Sequence, residues 1–201
     1  MTRPENPELI KAIRKAVAEL VTTRGPAAVT MREIASRCGV TPTTIYYYFE
    51  NKDRLFEAAK FDIVDEMDRY FAARIDENDS PKKQLVDLIA AFVEWYIANK
   101  NLADLLFEKL PPETNLTEES MKRYYKAHMR GERIIRKAKE SGELAVDDIE
   151  IDTCLGLSFM YGLAKLFCER RLPPRFWDDI DPLVSRMTEI FLSALSFKDN
   201  Q

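Results

Sequence analysis

The side chains able to do covalent chemistry are few in these 201 residues. There is one histidine, His128, and there are three cysteines, Cys38, Cys154 and Cys168. A lone histidine with no cysteine or second histidine at ligand spacing makes a poor metal site, so no metal and no other cofactor is expected. No serine or cysteine stands in a glycine elbow, and one histidine would have to serve every acid and base step, so nucleophilic catalysis is not expected either. Cys154 and Cys168 lie 14 residues apart, which on one helix is roughly 21 Å, too far for a disulfide. They are expected to be buried thiols in a reducing compartment. Cys38 falls in a turn with no visible low-pKa setting and is expected to be structural.

What remains is recognition by hydrogen bonding and stacking. Residues 41–52 read TPTTIYYYFENK, with three tyrosines in a row. Adjacent helical side chains point about 100° apart, so three consecutive aromatics cannot all face one interior. Thr41, Thr43, Thr44, Tyr47 and Tyr48 offer hydroxyls and flat faces, short enough to reach phosphates and thymine methyls. Tyr46 and Phe49 are expected to share packing with Ile45, leaving Tyr47 and Tyr48 to face a duplex.

The elements around this stretch must hold it still. Asn6 is a candidate cap with Pro7 at the first helical position, followed by a stripe of Ile10, Ile13, Val17, Leu20 and Val21 that ends at Gly25-Pro26. Thr30 and Glu33 have capping-box spacing. The short helix they open carries Ile34 and Ala35 inward and closes at Gly39, which can take a left-handed conformation. Thr41 caps the next helix, with Pro42 first in it. Ala35 permits close approach, Gly39 makes the turn and Ile45 locks the second helix on the first: a helix-turn-helix.

The run Thr30 to Leu55, T-M-R-E-I-A-x-x-x-G-V-T-P-T-T-I-Y-Y-Y-F-x-N-K-x-x-L, resembles the tetracycline-repressor (TetR) family of bacterial transcription regulators. The resemblance covers about an eighth of the chain. It implies that Arg32 reaches a guanine edge with its forked guanidinium. It places Pro42, Thr43, Tyr46 and Tyr47 at base or thymine-methyl contacts, and Thr30, Thr41, Thr44, Tyr48 and Lys52 at phosphates. Lys52 follows Asn51 at the start of a fourth helix, where backbone amides add to anion attraction. Pro42 and Thr43 stand where many relatives have Lys or Gly, and Glu50 replaces a frequent Lys.

Charge supports one polar end. Residues 1–60 hold ten Lys/Arg against seven Asp/Glu, while residues 61–201 hold 20 against 27. A basic module on an acidic body is the distribution expected where one end meets phosphates. Hydrophobic residues are 46% and glycines only six, which suits a mostly helical protein. The start lacks an apolar leader, and the longest apolar run, Cys154 to Ala164, stops at Lys165, so a cytoplasmic protein with no membrane partner is expected. The expected architecture is all-α with about nine helices: a three-helix DNA-binding domain over 1–50, then a larger helical ligand-binding and dimerisation domain over 51–201.

In that body Leu55, Phe56, Ala59, Ile63, Met67 and Tyr70 form one stripe. Leu85, Leu88, Ile89, Phe92 and Tyr96 form a second, and a short helix holds Leu105 to Phe107 before Pro111-Pro112. Met121, Tyr124, Tyr125, His128, Glu132 and Ile135 are expected on one helix ending near Gly142. Phe92, Trp95, Tyr96, Phe107, Tyr125, His128 and Phe159 mix apolar bodies with polar tips and are the candidate lining of a small-molecule pocket. Residues 152–168 are apolar on nearly all sides, so one face meets its own bundle and another needs a partner. The resemblance implies that this helix and the last one pair with their copies as a four-helix bundle, with Leu155, Gly162, Leu183, Met187, Ile190, Phe191 and Ala194 at the dimer interface. The expected function is a repressor released from a palindromic duplex operator by a small-molecule effector. The alternatives are a DNA-binding regulator with no such ligand, and a helical enzyme or small-molecule carrier.

Overall fold

The computed structural model describes residues 6–107, 117–144 and 148–195. Among them are ten α-helices: α1 (Pro7–Arg24), α2 (Met31–Arg37), α3 (Pro42–Tyr48), α4 (Lys52–Ala72), α5 (Pro81–Ala98), α6 (Lys100–Leu106), α7 (Glu118–Tyr124), α8 (Lys126–Glu140), α9 (Ile149–Cys168) and α10 (Asp181–Ala194). The all-α expectation holds. The Pro111-Pro112 break lies outside the described residues.

The chain divides into two compact units, Met1–Glu66 with Asn99–Tyr124, and Met67–Ala98 with Tyr125–Gln201. In the first, Ile13, Val17, Val21, Ile34, Ile45 and Leu55 are fully buried, joining α1, α2, α3 and the start of α4 around one small core. Asn6 caps α1 through its side chain, which accepts from the Leu9 amide at 3.1 Å. The far end of α1 is tied to α6, where Asn101 Nδ2 donates to the Thr22 carbonyl at 2.9 Å. Arg14 pairs with Asp62 at 2.7 Å, fixing α1 on α4.

In the second unit α5 packs against α8, α9 and α10, and Leu85, Leu88, Ile89, Phe92 and Tyr96 are all buried. Gly131 on α8 lets Leu88 and Thr153 close in, each 3.6 Å from where a Cβ would sit. Asp68 is held between Arg130 at 2.7 Å and Lys126 at 3.4 Å. Arg130 and Asp68 are both mostly buried, and removing one partner of such a pair would strand the other charge.

Three expectations change. The stripe from Met121 to Ile135 is two helices, because Tyr125 sits at φ −90°, ψ 8° outside helical geometry and its carbonyl already accepts from the Met129 amide at 2.8 Å. The division between units falls at the same place. Cys154 is exposed and Cys168 half-buried, so neither is a buried thiol; both lie on α9, whose outer face is uncovered. Cys38 does behave as a structural thiol, donating to the Ala12 carbonyl at 3.7 Å, and burial is the leading cause that raises its pKa. As a whole, α9 has the length and apolarity of a membrane span, beyond what the short run ending at Lys165 suggested, but it packs on α5 and α8.

Candidate nucleic-acid interface

The capping box at the start of α2 is complete. The Glu33 amide donates to Thr30 Oγ1 at 3.3 Å, and the Thr30 amide donates back to Glu33 Oε2 at 3.0 Å. Arg24 pairs with the other carboxylate oxygen of Glu33. The Thr30 hydroxyl is the main cause, with its amide and Arg24, that holds the Glu33 carboxyl below the usual range. A depressed folded value means the cap's contribution is present above the unfolded pKa and lost as pH falls through the folded one. Replacing Thr30 by Ala is expected to lower stability by about 1 kcal/mol in urea unfolding at pH 7, with the difference from wild type shrinking once Glu33 is protonated.

Gly39 makes the turn at φ +65°, and the Val40 amide donates back to the Ala35 carbonyl at 3.0 Å. Thr41 then caps α3 by accepting from the Thr44 amide at 3.3 Å, and the two hydroxyls meet at 3.0 Å. Ala35 and Ile45 are both fully buried where α2 crosses α3. A seven-residue helix is too short to be stable alone; caps at its start and Ile45 in its middle hold it.

On this scaffold Tyr46 and Tyr47 are 51% and 50% exposed. That reverses the expected roles of Tyr46 and Tyr48. Tyr48 is half-buried, sets its ring edge-on to Tyr47 at 5.0 Å, and has a buried hydroxyl with no partner among the described residues. Helical periodicity explains it: Tyr48 lies three residues from Ile45 and Phe49 four, on the inward side, while Tyr46 and Tyr47 are turned away. Thr30, Arg32, Thr41 and Thr43 are exposed, and Pro42 and Thr44 half-buried. Arg24 and Arg37 are engaged with Glu33 and Glu19, whereas Arg32 has no acidic partner among the described residues. Lys52, on the first turn of α4, donates to the Pro26 carbonyl at 3.4 Å and lies over the Phe56 ring. Two of its N–H donors remain for a phosphate.

The candidate effector residues separate. Phe92, Trp95 and Tyr96 are buried in the second unit, with the Phe92 and Tyr96 centroids 6.2 Å apart and Tyr161, which the sequence reading missed, edge-on to Tyr96 at 5.8 Å. Tyr125 is exposed and meets His128 edge-on at 5.9 Å; His128 Nδ1 is buried without a partner among the described residues. Phe107 caps α6 in the first unit. Phe159 stacks on Phe191 at 6.1 Å, joining the candidate dimer residues. A cleft of about 590 Å³ between α5 and α10, lined by Val86, Ala90, Val184, Thr188 and Leu192, holds none of these aromatics.

The candidate dimer residues do share a character. Leu155 and Ile190 are each 55% exposed, with Ile151 and Leu166, not singled out from sequence, also exposed along α9. Their spacing, four and then eleven residues, keeps them on one face. Ala194 is exposed, and Leu183, Met187 and Phe191 are half-buried, while Thr188 and Leu192 turn inward. A Cβ on Gly162 would meet nothing within 4 Å. Contiguous exposed apolar residues of this kind mark an interaction surface.

Residues 13–59 match the family model described as bacterial regulatory proteins, tetR family. Over 83 residues the chain is 30% identical to the HTH-type transcriptional regulator BetI of Brucella anthropi, a match spanning 41% of this chain and 41% of that protein. The chain thus spans about two fifths of the length of the curated relatives it matches. Among solved structures it superposes with a TM-score of 0.78 on a protein of unknown function from Rhodococcus sp. RHA1, at 16% identity over 95% of this chain and 96% of that one. It superposes with a TM-score of 0.67 on the transcriptional regulator FadR from Bacillus subtilis in complex with stearoyl-CoA, at 19% identity over 91% and 97%. At these identities the likeness is one of fold.

Proposed function

We propose, from the match of residues 13–59 to the model for bacterial regulatory proteins of the tetR family, that the chain is a member of that family, a sequence-specific DNA-binding transcriptional regulator and not an enzyme. The observation that carries this is the pair of half-exposed tyrosines, Tyr46 and Tyr47, on the Thr41-capped second helix of a helix-turn-helix whose first helix carries Arg32, exposed and with no acidic partner among the described residues. Arg32 is a fork for a guanine edge, Tyr46, Tyr47 and Thr43 contact bases and thymine methyls, and Thr30, Thr41, Thr44 and Lys52 hold phosphates, while Tyr48, its hydroxyl buried, braces Tyr47. Residues 1–50 do the reading and residues 51–201 pair the subunits and bind the effector.

The protein works in the cytoplasm as a homodimer on a palindromic operator, since one helix-turn-helix reads few base pairs and a two-fold pair reads two half-sites. It is a repressor released by a small molecule. That a structure of the same fold holds stearoyl-CoA supports an effector in the helical body, and the unpartnered His128 Nδ1 supplies a polar group that a ligand would satisfy. The effector acts only through its differential affinity for the binding and non-binding arrangements, typically about 1 to 3 kcal/mol.

Selection of bound duplexes from a random pool, with purified protein at near-physiological salt, tests this reading. A recovered palindrome whose affinity falls steeply with salt is expected. Failure to enrich any sequence, with salt-independent retention of the pool, would overturn it.

A further inference from the structure

We propose that the second unit carries an anion site, the cleft between the turn after α4 and α8, which takes the carboxylate or phosphate group of a small molecule. The cleft has a volume of about 230 Å³ and is lined by Ile75, Glu77, Gln84, Arg130, Arg133, Ile134 and Lys137. None of the aromatic residues assigned to an effector lines it.

The cations on α8 are treated unequally. Arg136 pairs with Glu132 at 2.5 Å, and Arg130 and Lys126 share Asp68. Arg133 is exposed and has no acidic partner among the described residues. Lys137, one turn further, spends one N–H on the Glu77 carbonyl at 3.0 Å, leaving two donors. Like charges four apart on a helix repel, so Arg133 and Lys137 are an uncompensated pair facing one cleft.

The rest of the cleft is built and firm. Gln84 is buried, and its Nε2 donates to the Glu77 and Asp79 carbonyls at 3.2 and 2.7 Å, which sets the turn opposite α8. Ile75 and Ile134 are buried and make a dry floor. A guanidinium fork beside an ammonium matches two oxygens of a carboxylate or phosphate. The volume is below that of drug-sized sites, roughly 300 to 1,000 Å³, so the occupant is a small anion or one anionic group. Glu77 also lines the cleft, and its negative charge opposes an anion and tunes its affinity downward.

Isothermal titration of the full chain with pyrophosphate, and separately with succinate, tests the site and distinguishes phosphate from carboxylate. Saturable binding of at least one, with one site per chain, is expected. Arg133→Ala should weaken it roughly tenfold, the effect of losing charge-assisted hydrogen bonds, Glu77→Gln should tighten it, and Arg136→Ala should leave it unchanged. Circular dichroism confirms the fold of each variant. No saturable heat with either anion would overturn the proposal, as would equal weakening by Arg136→Ala and Arg133→Ala, since that result means diffuse attraction to a basic helix.

Discussion

Replacing Tyr46 and Tyr47 together by alanine is expected to reduce affinity for a selected operator by at least tenfold while costing the folded protein at most about 1 kcal/mol. Both side chains are half in solvent, so their removal takes little from the core. In a groove each would cover a base edge or thymine methyl, and base contacts are each worth about 1 to 3 kcal/mol of discrimination. Arg32→Ala is expected to act at one base position, relaxing specificity there, because the forked guanidinium is its only means of reading guanine. Tyr48→Ala is the informative contrast. Its ring is partly inside and braces Tyr47, so the loss should appear in the unfolding midpoint as well as in binding. Fluorescence anisotropy at two salt concentrations, beside urea melts, checks all of these. Unchanged anisotropy for the Tyr46/Tyr47 double variant would show that α3 does not enter a groove.

Local signals in the sequence carried α1, α2 and α3 almost completely. Asn6, Thr30, Thr41 and Gly39 each act within three or four residues, and each was found doing what its type and spacing dictate. The partition of the three tyrosines was misjudged although the information was present, since distance from Ile45 along the helix decides it. The break at Tyr125 was not legible, because no glycine or proline marks it and a helical period runs on through it. The effector residues were the least legible. Aromatic bodies with polar tips identify core positions as readily as pocket positions, and only tertiary packing shows that Phe92, Trp95 and Tyr96 are enclosed while Phe159 lies against Phe191. The pairing of cations on α8 was likewise invisible, because Asp68 comes from a helix 62 residues earlier.

Changing Leu155 and Ile190 together to glutamate is expected to convert a dimer into monomers, with dissociation at least a hundredfold more favourable. Each side chain is more than half exposed within the chain, so the substitution does not disturb the monomer's core. In a dimer each would be buried, worth about 1.5 to 3 kcal/mol per large aliphatic side chain, and each glutamate adds the cost of an unpaired buried charge. Gly162→Leu separates interface from fold: nothing stands within 4 Å of its Cβ position, so the monomer accommodates the side chain, while two helices approaching closely at that glycine do not. Sedimentation velocity over a range of concentrations reads the outcome, and operator binding by both variants should fall to that of a single half-site. A double variant that still sediments as a dimer, or a wild type that is monomeric at every concentration, would remove α9 and α10 from the interface. The exposed apolar face would then have another occupant, because a stripe such as Ile151, Leu155 and Leu166 marks an interaction surface.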